Sequence, residues 1–445
     1  MALPTATETL ADRMVLRGGR PLHGEVAVRG AKNALPKIMV AALLTEEKCV
    51  LRNVASIVDV AIVSDLIRAL GGTVESPAPG VLEICAANLR PMERSVLREF
   101  SGKSRIPILT CGPLLARFGD APVPSLGGCR IGSRPVDFHI RALQELGATL
   151  HEEAGNSHLT CDHLTGTKIS LDFPSVGATE QVILAAACAE GVTELSNAAI
   201  EPEIMDLIMV LQKMGAIIAV DVDRVITIVG RRKLRGFDHT AIPDRLESAS
   251  WACAAAATNG RIFVRGARQV DMMTFLNKYR QIGGDFDVRD DGIEFWRGAG
   301  GLRSTVIETD VHPGFMTDWQ QPFVILLTQA EGVSIVHETV YEQRFGYVDA
   351  LNTMGARIQL YRECLGSLKC RFGQRNWKHS AVISGPTPLH GAEILIPDLR
   401  AGFSYVIAAL MARGESTLSN TGLIQRGYEN LTGKLETLGA DIVEA

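Results

Sequence analysis

Apolar positions along the chain fall into two recurring helix-like patterns. The first is amphipathic and ends in Gly-Gly or Gly-Ala before a short strand. Its six copies read LIRALGGTVES from Leu66, RALQELGATLHE from Arg141, IMVLQKMGAIIAV from Ile208, FLNKYRQIGGDFDV from Phe275, VDALNTMGARIQL from Val348 and LTGKLETLGADIVE from Leu431. Their glycines are Gly71, Gly147, Gly215, Gly283, Gly355 and Gly439, at spacings of 76, 68, 68, 72 and 84 residues. Glycine suits a position just past a helix end, where the backbone turns left-handed. The second pattern precedes each copy and is apolar on nearly every side. It reads LPKIMVAALL, IPILTCGPLLARF, ATEQVILAAACA, ESASWACAAAA, QQPFVILLTQA and FSYVIAALMA. Helices without a polar face are buried. Six such units predict an α/β protein with two pseudo-symmetric halves of three units each, helices inside and sheets outside.

A polar leader stands before each apolar helix: GAKNALP, GKSRIP, PSVGATEQ, PDRLES, FMTDWQQP and PDLRAG. Helix N-termini expose free N–H groups and partial positive charge, which suit phosphate or carboxylate. Asp244, Asp318 and Asp398 in these leaders are equally suited to capping. Lys32, Arg105, Arg245 and Arg400 oppose the helix dipole, so capping does not account for them. They are the stronger candidates for ligand contact.

Composition narrows the classes. The 445 residues suggest two or three domains, and 46% hydrophobic with 21% charged residues is ordinary globular composition. A net charge of −5 lacks the basic footprint of a nucleic-acid binder. No apolar run reaches the ~20 residues of a membrane span, and no signal peptide is visible, so the expectation is a cytoplasmic protein without membrane or nucleic-acid partners. Nine scattered cysteines without a CxxC pair argue against a disulfide framework or a zinc site. The ten histidines show no metal-ligand spacing, and His139, His312, His337 and His379 read as surface or internally satisfied residues. SGKS at 101–104 is not a P-loop, because Leu97 stands where the first glycine must be. GGCRIG at 127–132 has Cys129 at the third position of GxGxxG, and neither GxSxG nor HExxH occurs.

One stretch breaks the repeat rhythm: PSLGGCRIGSRPVDFH, from Pro124 to His139. It presents Cys129 among glycines and between Arg130 and Arg134. Such surroundings predict a depressed thiol pKa, and the loop is suited to close over substrate.

These motifs form a set with GAKNA at 30–34, SVGATEQ at 175–181, NAAIEPEI at 197–204, PDRLE at 243–247, HPGFMTD at 312–318, ETVYEQRF at 338–345, PDLRAG at 397–402 and QRGYENL at 425–431. Over essentially the whole chain the set resembles the UDP-N-acetylglucosamine enolpyruvyl transferase (1-carboxyvinyltransferase) family. The sibling shikimate-phosphate enzymes share the six-unit fold but lack the cysteine loop. The resemblance implies the enolpyruvyl transferase fold: two inside-out α/β barrel halves, each of three βαβαββ-type units. It implies transfer of the enolpyruvyl group of phosphoenolpyruvate to the 3′-hydroxyl of UDP-N-acetylglucosamine, by addition and elimination, with no metal or organic cofactor. That is the first committed step of peptidoglycan synthesis, with consequences for cell shape and division. The resemblance makes Cys129 the general acid and the site of fosfomycin alkylation, where an aspartate confers resistance. It assigns Lys32, Arg134 and Arg426 to phosphoenolpyruvate, supported by Arg344 and Arg400. Asp318 becomes the general base. The sugar nucleotide is expected at Asn33, Arg105, Pro135, Val136, Asp137, Phe138, Ser175, Val176, Gly177 and Val340. The expected domains are residues 32–242, carrying the Cys129 loop, and residues 1–31 with 243–445. The active site is expected in the cleft between them, with the two chain crossings as hinge and closure on the sugar nucleotide.

Two features depart from the family. Phe173 stands where many members have lysine, beside the expected diphosphate site. An added polar segment, RECLGSLKCRFGQRNWKHSAV from Arg362 to Val382, lengthens the fifth spacing. It reads as a surface excursion, with a phosphate contact or partner site as the alternative. Both leave open a relative acting on another uridine nucleotide, such as UMP in nucleoside-antibiotic synthesis.

Overall fold

The computed structural model describes residues 12–93, 96, 99–100, 102–124, 136–153, 156–368, 370 and 375–444. The chain divides into two compact units. One comprises the described residues between Gly30 and Ile242; the other joins the described residues up to Arg29 to those from Pro243 onward.

Six apolar helices form the centres: α1 (Leu35–Ala41), α2 (Cys111–Phe118), α3 (Val176–Ala186), α4 (Arg245–Ala257), α5 (Thr317–Leu327) and α6 (Leu399–Met411). Every residue of α1 and α4 is buried, as their lack of a polar face requires. In the first unit α2 packs on α3, and the 3₁₀ turn Ile106–Thr110 that leads into α2 contacts α1 and α3. In the second unit α4, α5 and α6 pack pairwise on one another. Alanine dominates α4, and its small side chains let its neighbours approach closely. Each unit has its own cluster of buried apolar side chains.

Around each trio lie three sheets. Among the described residues five sheets have four strands and one has three. Each four-stranded sheet repeats one pattern: a parallel edge pair followed by two antiparallel pairings. The amphipathic helices end at the six glycines of the sequence repeat, whose φ angles run from +88° at Gly439 to +104° at Gly355. The unit order strand–helix–strand–helix–strand–strand is therefore the βαβαββ expected. His23–Ala27 leads the first repeat yet pairs in parallel with Arg261–Arg265, and Asp238–Thr240 leads the fourth yet pairs with Cys49–Arg52. The first and fourth repeats have exchanged their leading strands.

Candidate active site

The apolar helices present their leaders as N-termini, and the leaders prove chemically different. Ser175 caps α3, its hydroxyl accepting from Ala178 N at 3.4 Å. Asp244 caps α4, accepting from Leu246 N and Glu247 N at 2.8 and 3.1 Å. Asp398 caps α6, accepting from Arg400 N and Ala401 N at 2.9 and 3.1 Å. Asp318 is different. It is the second residue of α5, two positions past the cap Met316, and its carboxylate is turned to guanidinium groups. Its Oδ1 accepts from Arg344 Nη2 at 2.5 Å, and its Oδ2 lies 3.6 Å from Arg400 Nε.

Both arginines are buried. Burial alone would favour the neutral form of Arg344, but the carboxylates of Asp318, Asp398 and Glu338 outweigh it and raise its pKa. Arg400 behaves likewise: burial opposes its charge, while the Tyr428 hydroxyl, Asp318 and Asp244 favour it. Arg400 Nη1 donates to Tyr428 Oη at 3.3 Å. Asp318 keeps 19% side-chain exposure. It is thus a partly exposed carboxylate oriented by fixed cations, an arrangement that suits a positioned base.

Glu338, for which the sequence suggested no role, organises the neighbouring loop. It follows the strand Gly332–His337 and is fully buried. It accepts from Thr317 Oγ1, Gln320 Nε2, Val340 N and Tyr341 N at 2.9–3.0 Å. Burial raises its pKa against the opposing pull of Arg344 and these donors. Glu338 therefore ties the start of α5 to the loop bearing Val340. A carboxylate following an apolar strand was the available signal. Arg426 closes the 3₁₀ turn Thr421–Arg426 and is half-buried.

In the first unit Lys32 and Asn33 form the turn before α1. Lys32 Nζ lies 3.2 Å from the buried carboxylate of Asp59 and keeps 21% side-chain exposure. The Asn33 carbonyl accepts from Lys37 Nζ, which also lies 3.1 Å from Glu180 Oε1. This buried pair links α1 to α3 and was missed, although a lysine within an apolar helix was its signal. Burial raises the Glu180 pKa, with Lys37 opposing. Arg105 caps the turn Ile106–Thr110 and is partly buried. Val136, Asp137 and Phe138 open the helix Asp137–Glu145. That helix meets the start of α3, where a Cβ on Gly177 would fall 3.0 Å from the His139 ring. The structure thus brings Val136–Phe138 together with Ser175–Gly177. Phe173 O accepts from Ser175 N at 2.6 Å. Arg245, another leader cation, is buried; it donates to Asp271 O at 3.4 Å and lies over Trp319 at 5.4 Å. Cys129, Arg130, Arg134 and Pro135 lie outside the described residues.

The sequence profile of the family described as EPSP synthase (3-phosphoshikimate 1-carboxyvinyltransferase) matches residues 16–435. A protein named UDP-N-acetylglucosamine 1-carboxyvinyltransferase from Protochlamydia amoebophila is 53% identical over 97% of this chain and 94% of its own. One of the same name from Chlamydia pneumoniae is 48% identical over 95% of this chain and 92% of its own. Among solved structures, the enolpyruvyl transferase NikO from Streptomyces tendae aligns with a TM-score of 0.85 at 25% identity, covering 97% of this chain and 98% of NikO. The EPSP synthase of Acinetobacter baumannii aligns at 0.76 with 18% identity over 97% of this chain and 99% of its own, a likeness of fold.

Proposed function

The chain belongs to the enolpyruvyl (1-carboxyvinyl) transferase family, and from that premise we propose that it transfers the enolpyruvyl group of phosphoenolpyruvate to the 3′-hydroxyl of UDP-N-acetylglucosamine, releasing phosphate. The near-full-length match to relatives of that name carries the reading. The oriented carboxylate of Asp318 agrees with it.

In this reading Cys129 gives a proton to C3 of phosphoenolpyruvate. The sugar 3′-oxygen bonds to C2 while its proton passes to Asp318. The tetrahedral adduct then loses phosphate from C2 and a proton from C3, restoring the enol ether. Lys32, Arg134 and Arg426 hold the phosphate and carboxylate of phosphoenolpyruvate. Arg344 and Arg400, already engaged with Asp318, act by fixing that carboxylate. Asn33, Arg105, residues 135–138, Ser175–Gly177 and Val340 hold the sugar nucleotide. The protein would work in the cytoplasm, at the entry to peptidoglycan synthesis and hence in support of cell division. Fosfomycin would react at Cys129: the thiolate opens the epoxide, a C–S bond replaces a C–O bond, and the alkoxide takes up a proton.

The test is phosphate release from phosphoenolpyruvate with UDP-N-acetylglucosamine or UMP as acceptor. Release is expected with the sugar nucleotide, falling about 10²–10⁴-fold in Cys129→Ala. Release with UMP alone would move the acceptor while keeping the chemistry. Silence with both would overturn the reading. Intact-mass analysis should show a fosfomycin adduct on the wild type and none on Cys129→Ala.

A further inference from the structure

The added segment leaves the strand Ile358–Tyr361 and returns as the strand Ser380–Gly385. It brings together chemistry that the transferase reaction does not use. One ligand atom from each of His337, Cys364 and His379 lies within 4.8 Å of the others. Cys364 Sγ is 3.3 Å from His379 Nε2 and 3.4 Å from Cys370 Sγ. Both histidines are buried, Cys364 is exposed and Cys370 is partly exposed.

The ring orientations are those of ligands. His379 Nδ1 lies 2.8 Å from the Trp377 carbonyl, so it carries the proton and leaves the Nε2 lone pair facing Cys364. His337 Nδ1 is 2.9 Å from Ser380 Oγ. The other nitrogen, Nε2, is buried, with the Leu368 backbone beside the ring. That side of the ring faces the segment, since a Cβ on Gly366 would fall 2.7 Å from His337 Cδ2.

Distances favour an ion over a disulfide. A tetrahedral ion with Zn–S of ~2.3 Å and Zn–N of ~2.0 Å sets sulfur pairs about 3.8 Å apart and sulfur–nitrogen pairs about 3.5 Å apart. The observed 3.4 and 3.3 Å are within a few tenths of these values. A disulfide needs ~2.05 Å. Two thiolates with two imidazoles suit zinc among the divalent ions.

We infer that His337, Cys364, Cys370 and His379 form a structural zinc site that clamps the added segment to the end of its sheet. Glu308 supports the clamp, accepting from Ser367 Oγ at 2.7 Å and Leu368 N at 2.6 Å. The clamp adjoins the proposed active site through Glu338, whose N–H donates to the His379 carbonyl at 2.7 Å. The sequence argued against zinc because the cysteines are separated by five residues and His337 lies far upstream. Only the sheet register brings His337 opposite Ser380, beside His379.

Full-length protein purified from zinc-supplemented cells without chelator is expected to carry about one zinc ion per chain. Cobalt(II) added to stripped, reduced protein should give intense tetrahedral d–d absorption and a thiolate charge-transfer band. Cys364→Ser and Cys370→Ser should each weaken cobalt binding by about tenfold or more, whereas Cys85→Ser, elsewhere on the fold, should not. Circular dichroism checks that the variants remain folded; if a serine variant unfolds, cobalt uptake by the wild type still decides. Metal-free protein with only weak octahedral cobalt absorption overturns the proposal. So does a Cys364–Cys370 disulfide in freshly alkylated protein that binds no cobalt after reduction.

Discussion

Three aspartates stand at comparable leaders, and their residue-by-residue surroundings divide them. Asp244 satisfies two backbone N–H groups, so its loss is a loss of capping. Asp244→Ala should cost about 1 kcal/mol in denaturant unfolding. Asp318 touches guanidinium groups instead, and its removal still leaves Arg344 facing Asp398 and Glu338. Asp318→Asn should therefore melt close to wild type while kcat for phosphate release falls by about 10²–10⁴-fold. Equal losses of stability in both variants would make Asp318 another cap. The sequence could not separate these residues, because two positions of helix register distinguish the caps from the first-turn side chain of Asp318. The buried pair of Lys37 and Glu180 follows the rule for paired charges. Lys37→Met should cost about 3–5 kcal/mol by stranding Glu180, and adding Glu180→Leu should recover most of it in a double-mutant cycle of unfolding free energies.

At the scale of elements, helices were more legible than their partners. The two hydrophobic patterns placed all six apolar helices, and the glycine repeat placed the ends of the six amphipathic ones, because both signals are local. A left-handed residue past a helix end serves as a stop in every unit, but its surroundings differ. Gly439 has φ +88° and open space around a notional Cβ, so Gly439→Ala should cost only backbone strain, about 1–2 kcal/mol. Gly283 has φ +101°, and its Cβ would fall 2.0 Å from the Gly301 carbonyl oxygen. Gly283→Ala must add a backbone shift to the same strain and should lower the unfolding midpoint clearly further. Matching losses would mean that the loop at Gly301 yields freely. Strand pairing left no such local mark. Glu338 and the histidine–cysteine cluster were hidden for that reason: Glu338 meets the first turn of α5, and His337 meets His379 only through the pairing of two central strands, which no spacing in the sequence encodes.

For the whole molecule, the exchange of leading strands sets what can fold alone. The unit from Gly30 to Ile242 contains the strand Asp238–Thr240 that completes its sheet with Cys49–Arg52. The chain from Pro243 onward lacks two strands that only the N-terminal segment supplies. His23–Ala27 adds an edge beside Arg261–Arg265. Arg13–Arg17 lies between Glu415–Ser419 and Asp441–Glu444, and those two strands meet only through it. Without it that sheet divides, and the apolar side chains Met14 and Leu16 leave the core. A fragment of residues 30–242 should therefore melt cooperatively, with dispersed amide resonances. A fragment of residues 243–445 should not, until a peptide of residues 12–29 is supplied in excess, because binding to the folded state alone shifts the equilibrium by mass action. Cooperative melting of 243–445 without the peptide would mean that its core tolerates a divided sheet. Failure of 30–242 to fold would mean that its three sheets depend on the rest of the chain. Success with the peptide would establish Arg13–Arg17 and His23–Ala27 as the strands that the second unit needs in order to fold.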